Sequence, residues 1–340
     1  MHFILRLFVV CLILALASPA AAAGFSKVGT FTFSWEGIFT GGRLSALGGS
    51  DLADRSPATL LVNPAPLSTG TGVGLSYDHA DYIGGFEFHT YAGTAGWNHL
   101  RLNFAMQDFV NESVLVRTAY NPEGTGETFE IHDRMTAIGL SYDLGRALFG
   151  KPSFHWAVGA AWRGYSSRFD EMEADADTWD LGTTFGWRVD YHGGWTGLTG
   201  AVSWQNVTDA AYTFDDYVAR LPRPLRTGLT VETAIDRAGH PGDIVKFLLA
   251  VAQTSRLGDT YRSDADHVGL EALFLDALAL RFGHSTQVLG DIESWGLGIV
   301  LDGRLLGPVT VELDWGEMSY DNSLYAADKT IWGARARYSF

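Results

Sequence analysis

Few residues of this chain have the type and spacing that catalysis requires. His284 and Ser285 are adjacent, and neighbouring residues of a β-strand point to opposite faces, so these two cannot act together as base and nucleophile. The ten histidines lack the spacing of metal ligands. The glycines of residues 70–74 lack the strand, spacing and following helix of a nucleotide-binding loop. We therefore predict no catalytic residue, no metal ligand and no cofactor.

An acidic run is the other local concentration of chemical groups. It contains Asp170, Glu171, Glu173, Asp175 and Asp177. Carboxylates of this kind could bind Ca²⁺, but the glycine and the ligand order of an EF-hand loop are missing. We interpret residues 170–177 as a solvated loop.

Composition narrows the classes of protein to which the chain can belong. Of its 340 residues, 46% are hydrophobic, 13% aromatic and 19% charged, and 40 are glycine. These values exclude disordered, collagen-like and disulfide-rich proteins. The net charge of −15 offers no broad basic surface to phosphate groups. Nucleic acid is therefore not an expected partner.

The first 23 residues have the features of an export signal. Arg6 precedes the apolar run 7–17, and three alanines at 21–23 form a small-residue cleavage site. Cys11 is the sole cysteine and lies within this segment. The mature chain is therefore expected to lack disulfides and thiolate ligands.

The rest of the chain alternates between apolar and small or polar residues. Trp179, Leu181 and Thr183 lie on one side of such a segment, and Asp180 and Gly182 on the other. A period of two predicts β-strands. We expect about fourteen strands, with residues 110–133 as a long loop, at 71–79, 84–95, 98–109, 134–144, 153–168, 178–190, 196–206, 225–235, 244–256, 265–275, 277–287, 292–302, 308–318 and 329–340.

Alternation alone fits two architectures. In a soluble β-sandwich the apolar side faces a core, whereas in a membrane barrel it faces lipid and the polar side faces the lumen. Tryptophans and tyrosines near predicted strand ends, including Trp97 and Trp332, suggest aromatic girdles. The last strand, ending at Tyr338 and Phe340, is typical of the carboxyl-terminal signal for barrel assembly. These features favour an all-β, transmembrane antiparallel barrel over the sandwich, and unpaired edges in lipid require the sheet to close.

Several charged residues fall on the predicted lumen side. Buried in a lumen, they should pair with one another or with a plug, either as a salt-bridge ladder or as a polar filter around a ligand path. They are Arg101, Arg163, Asp180, Arg188, Arg226, Glu232, Glu271, Arg281, Glu312 and Asp314, with Glu87, Arg335 and Arg337 on the same side.

Residues 24–70 break the strand pattern and precede the barrel of residues 71–340. Their leucines are too apolar for a disordered tail, the alternative interpretation, and glycine pairs allow close backbone approach. We predict a plug inside the barrel. Its motif residues are Arg43, Gly48 and Gly49 in the stretch 41–49, Asp54 after Ala53, and Asn63 and Pro64 before Ala65.

In these motifs the chain resembles the PorV/PorQ family of outer-membrane proteins, which is related to the FadL fatty-acid channels. Later segments agree in order: 179–182, 202–207, 221–229, 267–271 and 278–283. The resemblance implies a fourteen-strand barrel with a plug. It departs at Leu47, where methionine is expected, and at residues 55–57.

The resemblance also implies a role without chemistry, in the outer membrane of a Gram-negative bacterium. Relatives pass hydrophobic small molecules through the lumen or dock secreted proteins in type IX secretion. The expected partners are outer-membrane lipid and lipopolysaccharide, the barrel assembly machinery, and either a hydrophobic ligand or secretion-system proteins. The alternatives are an outer-membrane lipid hydrolase and the soluble periplasmic sandwich.

Overall fold

The computed structural model describes residues 41–65, 71–82, 85–116, 120–122, 124–150, 153–170, 172–214, 217–236, 242–256, 264–287, 290–302, 306–321 and 328–339. The signal segment 1–23, the first part of the expected plug and Phe340 lie outside these residues. No helix among the described residues is long and apolar enough to cross a membrane.

Strands form most of the described chain. Two short α-helices, α1 at Gly42–Ala46 and α2 at Leu144–Phe149, and a 3₁₀ turn at Pro57–Leu61 accompany them. The strands are β1 Gly72–Asp81, β2 Glu87–Trp97, β3 Leu100–Leu115, β4 Thr128–Asp143, β5 Phe154–Phe169, β6 Met172–Tyr191, β7 Gly194–Trp204, β8 Ala211–Phe214, β9 Tyr217–Arg220, β10 Pro224–Asp236, β11 Asp243–Arg256, β12 Ala265–Phe274, β13 Leu278–Gln287, β14 Gly290–Leu301, β15 Val309–Asp321 and β16 Asp328–Ser339.

Fourteen of these strands form one closed antiparallel barrel. Each strand pairs with its sequence neighbour, β7 pairs with β10, and β1 closes the barrel on β16 with Gly72 opposite Ser339. The predicted fourteen-strand barrel is therefore confirmed. The soluble sandwich is wrong: alternation of period two cannot distinguish two stacked sheets from one closed sheet, and closure decides between them.

The two faces of the barrel wall differ in chemistry. Large apolar side chains point outward and are exposed, among them Leu75, Phe282 and Ile299. The strand positions between them are small or polar and are buried against the contents of the lumen. Trp97 and Trp332 are exposed near opposite ends of the barrel, as girdle residues would be, whereas Tyr165 points into the lumen.

Two predicted loops are replaced in part by strand. The expected loop 110–133 is wrong because β3 continues to Leu115 and β4 begins at Thr128. Residues 172–177 of the acidic run are strand and not loop. β6 begins at Met172, and its acidic residues alternate with Ala174 and Ala176, so the carboxylates point outward while the alanines complete the period of two.

We call the end of the barrel where β1 begins and β16 ends the terminal end, and the other end the opposite end. At the terminal end, Gly72 of β1 lies beside Ser339 of β16, and short connections include residues 98–99 and 192–193. At the opposite end the connection between β7 and β10 is longer and contains the separate two-stranded sheet of β8 and β9. The sequence pattern did not predict this small sheet.

The amino-terminal segment 41–65, called the plug segment here, lies inside the barrel. It contains α1 and the 3₁₀ turn, and α1 contacts β13, β14, β15 and β16. The chain reverses after α1 at Gly48 and Gly49, whose φ angles of 62° and 75° favour glycine. Ser56 caps the 3₁₀ turn by accepting a hydrogen bond from the Ala58 amide.

Candidate functional site

The plug segment packs directly on glycines of the barrel wall. A Cβ atom at Gly159 or Gly182 would overlap Pro64 or Asn63, and one at Gly283 would overlap the backbone of Gly48. The absence of side chains at these wall positions therefore lets two backbones touch. The motif residues at 48, 63 and 64 are packing points of the plug segment.

A buried ion network joins the plug segment to the wall. Its centre is Arg43, whose Nε and Nη2 donate to the two carboxylate oxygens of Glu271 at 3.0 and 3.1 Å. Its Nη1 lies 2.9 Å from Asp51 and 2.8 Å from Asp54 in the plug segment itself. The paired hydrogen bonds to Glu271 fix the orientation of the guanidinium.

Two wall arginines extend the network. Arg281 reaches Glu271 at 2.5 Å and Glu312 at 3.0 Å, and it also pairs with Asp314. Arg335 pairs with Asp314 and lies 3.4 Å from Glu312. Ions buried this deeply need partners on every side, because water cannot solvate them.

The network also connects the last strand to the plug segment. Arg335 of β16 lies 3.6 Å from Asp54, and Asp78 of β1 accepts a hydrogen bond of 3.0 Å from the Gly42 amide. We call this group of residues the ion network; it consists of Arg43, Asp51, Asp54, Glu271, Arg281, Glu312, Asp314 and Arg335.

Burial affects the titration of the plug residues in the network. It raises the pKa of Asp51, and Arg43 opposes this shift only in part. For Arg43, burial alone would lower the pKa, but the charges of Glu271, Asp54 and Asp51 outweigh it and hold the pKa above its ordinary value. Arg43 therefore remains charged inside the barrel.

The other predicted lumen charges occupy different environments. Arg163 and Asp180 form a buried pair at 2.5 Å, and Arg163 also donates to the Leu61 carbonyl of the plug segment at 3.1 Å. Arg226 and Arg101 are buried, and Glu232 is half-buried.

Three further predicted residues lie away from the lumen interior. Arg188 is exposed and pairs with Asp190 at 2.8 Å, next to the ring of Trp195. Tyr338 is exposed on the last strand. Glu87, expected inward, instead points outward with His89, so that expectation is wrong.

Above the ion network, towards the opposite end, the lumen contains a layer of apolar side chains. Phe88 and Phe109 pack with ring centroids 4.7 Å apart, and Met135 and Tyr165 continue the contact around the wall. This apolar layer consists of Ala80, Phe88, Phe109, Met135, Tyr165, Ala174, Leu221, Ile292, Met318 and Ile331. The alternation predicted small and polar side chains on the lumen side and did not indicate this layer.

Two cavities follow the same side of the plug segment. A small inner cavity of about 30 Å³ touches Leu61 and Met135, and thus the apolar layer. A larger cavity of about 210 Å³ lies nearer the terminal end, beside Gly72 and Arg101. Both cavities are lined by Arg43, Asp54, Ser56 and Arg335. The two cavities therefore border the same part of the plug segment, the inner one against the apolar layer and the larger one nearer the terminal end.

A serine–histidine contact occurs in the lumen, but Ser285 makes it with a histidine of the neighbouring strand and not with the adjacent His284. Ser285 lies opposite His267, with Oγ 2.8 Å from Nδ1. The same Nδ1 faces the Gly48 carbonyl oxygen at 2.9 Å, so it carries the proton and cannot accept one from Ser285. The pair therefore anchors the plug segment.

Three residues on the outer face could hold a metal ion. His79, Glu87 and His89 bring ligand atoms within 4.8 Å of one another across β1 and β2. The histidine Nδ1 atoms are 3.4 Å apart, and Tyr77 also contacts His89. Sequence spacing concealed this group because the two histidines lie on different strands, whose register brings them opposite each other.

The fold and the lumen define a class: a closed fourteen-strand β-barrel with its own amino-terminal segment packed inside. No protein-family profile matches the chain. No curated protein matches it either.

Among solved structures, similar barrels include the toluene transporter TbuX of Ralstonia pickettii, at 11% identity and a TM-score of 0.46, covering 91% of this chain and 100% of that one. The toluene transporter TodX of P. putida is 12% identical with a TM-score of 0.45 over 88% and 98%. A FadL homologue of Pseudomonas aeruginosa is 9% identical with a TM-score of 0.45 over 89% and 99%.

Proposed function

We propose that the protein is a non-enzymatic barrel of a Gram-negative outer membrane. The support is the outward face of the closed wall, where Leu75, Phe104, Phe282 and Leu313 are exposed. Apolar side chains in such a band are stable against lipid acyl chains, and closure leaves no unpaired strand edge. Outer-membrane lipid and lipopolysaccharide are then its surroundings, and the barrel assembly machinery inserts it.

The proposed role is passage of hydrophobic small molecules. The observation that carries it is the contact of the apolar layer with the inner cavity beside the plug segment, at Leu61 and Met135. A hydrophobic solute entering from the opposite end would pass Asp133 and Lys329 and then meet the apolar side chains of this layer. Widening of the inner cavity would then let it pass the plug segment.

Uptake of naphthalene by a Gram-negative host lacking its own hydrophobic-solute channel tests this role. Ala58 lines the inner cavity, so Ala58→Trp should reduce uptake to the rate of the host without the protein. Ala95 is exposed on the outer face, so Ala95→Trp is the matched control and should leave uptake unchanged. Equal uptake by both variants and the native protein would refute passage along this route.

Docking of secreted proteins in type IX secretion is the second candidate. Its support is the PorV/PorQ resemblance and an outer groove of about 360 Å³ on β4–β6, bordered by Arg134, Trp162, Asp175 and Asp177. In the native bacterium, deletion of the gene should then trap secreted cargo in the periplasm, and Arg134→Glu should reproduce the defect. Normal secretion together with lost solute uptake would exclude docking.

A further inference from the structure

The larger cavity, at the terminal end, has an unusual balance of charge. Five arginines line it: Arg43, Arg55, Arg101, Arg335 and Arg337. Arg43 and Arg335 are bound within the ion network, as are the two carboxylates of this cavity. Arg55, Arg101 and Arg337 line the cavity outside that network and add three positive charges beside it. We call this space the arginine pocket.

Arg101 is the decisive residue of the arginine pocket. It is 5% exposed, and its Nε and Nη1 are buried with no hydrogen-bond partner. No carboxylate among the described residues pairs with it, and the charges that act on it are those of Arg337 and Arg55, both positive. A buried guanidinium in these surroundings lacks what normally stabilises it.

An anion in the pocket would supply the missing partner. A guanidinium presents its N–H groups in a planar fork that matches the oxygens of a carboxylate or a phosphate. The cavity volume of about 210 Å³ accommodates a small anion, and Val73, Pro57 and Ala336 give it an apolar margin beside the arginines. The site is therefore suited to a compact anion that carries a short apolar part.

We propose that the arginine pocket is an anion-binding site that holds a carboxylate or phosphate group on Arg101, with Arg55 and Arg337 supplying further positive charge. The inference deepens the proposed passage function, because it places a preference for anionic solutes on the route past the plug segment. Only this preference during passage rests on the proposed function; the binding of an anion does not. Binding itself can be measured without any passage.

Isothermal titration of the purified full-length protein in neutral detergent, at low ionic strength, tests the site. The probes are hexanoate, inorganic phosphate and neutral 1-hexanol. Hexanoate or phosphate should bind at one site, and Arg101→Gln should weaken that binding by about tenfold or more, the loss expected for a charge-assisted hydrogen bond. Binding of hexanoate alone identifies an amphiphilic solute, and binding of phosphate alone a phosphate group.

The matched control is Arg188→Gln, which removes an exposed arginine already paired with Asp190. It should leave anion binding unchanged. Failure of both anions to bind the native protein, equal affinity in Arg101→Gln, or 1-hexanol binding as tightly as hexanoate would overturn the proposal. If the native protein binds an anion but does not increase naphthalene uptake, the transport role is refuted and the anion-binding site is retained.

Thermal unfolding provides a readout that does not depend on measurable heats. Hexanoate or phosphate should raise the unfolding temperature of the native protein and leave that of Arg101→Gln unchanged. Because Arg101 lacks a partner without the anion, the variant should be at least as stable as the native protein when no anion is added. A variant that unfolds earlier, yet still gains stability from the anion, would contradict the assignment.

Discussion

The apolar layer and the ion network fill neighbouring parts of one lumen by different physical means. In the layer, side chains such as Phe88 and Ile331 are stabilised by contact with many neighbours, each contributing a little. In the network, Arg281 satisfies three carboxylates at once. The layer should therefore tolerate small changes of shape, whereas the network should fail when one partner is removed.

The largest effect is expected from Arg281→Leu. It leaves Glu271 and Asp314 buried beside one arginine fewer, and breaking a buried ion pair in this way costs about 3–5 kcal/mol. Urea unfolding in detergent, followed by tryptophan fluorescence, measures the loss. Arg188→Leu, at an exposed pair, should cost about 0–1 kcal/mol. Equal losses at the two sites would remove the distinction between buried network and exposed pair.

Met135→Ala tests the apolar layer itself. Met135 is 1% exposed, and its truncation should cost about 2 kcal/mol or more, because lost contacts and a new void add together. It also enlarges the inner cavity, so naphthalene uptake should rise. Met172→Ala, at an exposed methionine, is the control for both measurements. Faster uptake from the control variant would show that the layer is not on the route.

The anchor between wall and plug segment should have an intermediate effect. His267→Leu removes the hydrogen bond to the Gly48 carbonyl and leaves that buried oxygen unsatisfied, at a cost of about 1–3 kcal/mol. His284→Leu changes the exposed neighbour on β13 and should have no measurable effect on unfolding. Unchanged stability in His267→Leu would mean that packing on the wall glycines suffices to hold the plug segment.

The smallest effect is expected from Asp51→Asn, because Arg43 keeps Glu271 and Asp54. Burial raises the pKa of Asp51, so its contribution to stability is greatest at low pH and falls as pH rises through the raised pKa. Relative to the native protein, the variant should gain stability from the acidic range towards neutrality. Asp190→Asn, an exposed change, should show no such trend; an opposite trend for Asp51→Asn would mean that Arg43 dominates.

The sequence predicted the wall better than the contents of the lumen. Alternation of period two identifies strands and, in mid-strand, the side that faces lipid, which is why Glu271, Arg281 and Asp314 were expected inside. Near strand ends the pattern loses this meaning, since both faces leave the apolar band. For this reason alternation assigned Glu87 to the wrong face. It also did not show that the acidic run belongs to β6.

Contacts between strands depend on register, which the sequence does not specify directly. The pairing of His267 with Ser285, and of His79 with His89, follows from which residues face each other across neighbouring strands. The arginine pocket likewise combines β1, β3, β15 and β16 with the plug segment. None of these groups is local in the chain, and local spacing therefore failed to predict them.

The salt bridge between Arg335 and Asp54 joins the last strand of the barrel to the plug segment that precedes the first strand. Since Arg335 lies on β16, the seam partner of β1, Asp54 gains this second positive partner, beside Arg43, only when that strand is in place. Closure of the barrel at the seam of β1 and β16 and the contact of Arg335 with the plug segment thus depend on the same strand. A chain truncated before β16 would lack both the seam with β1 and the contacts of Arg335 with Asp54 and Asp314.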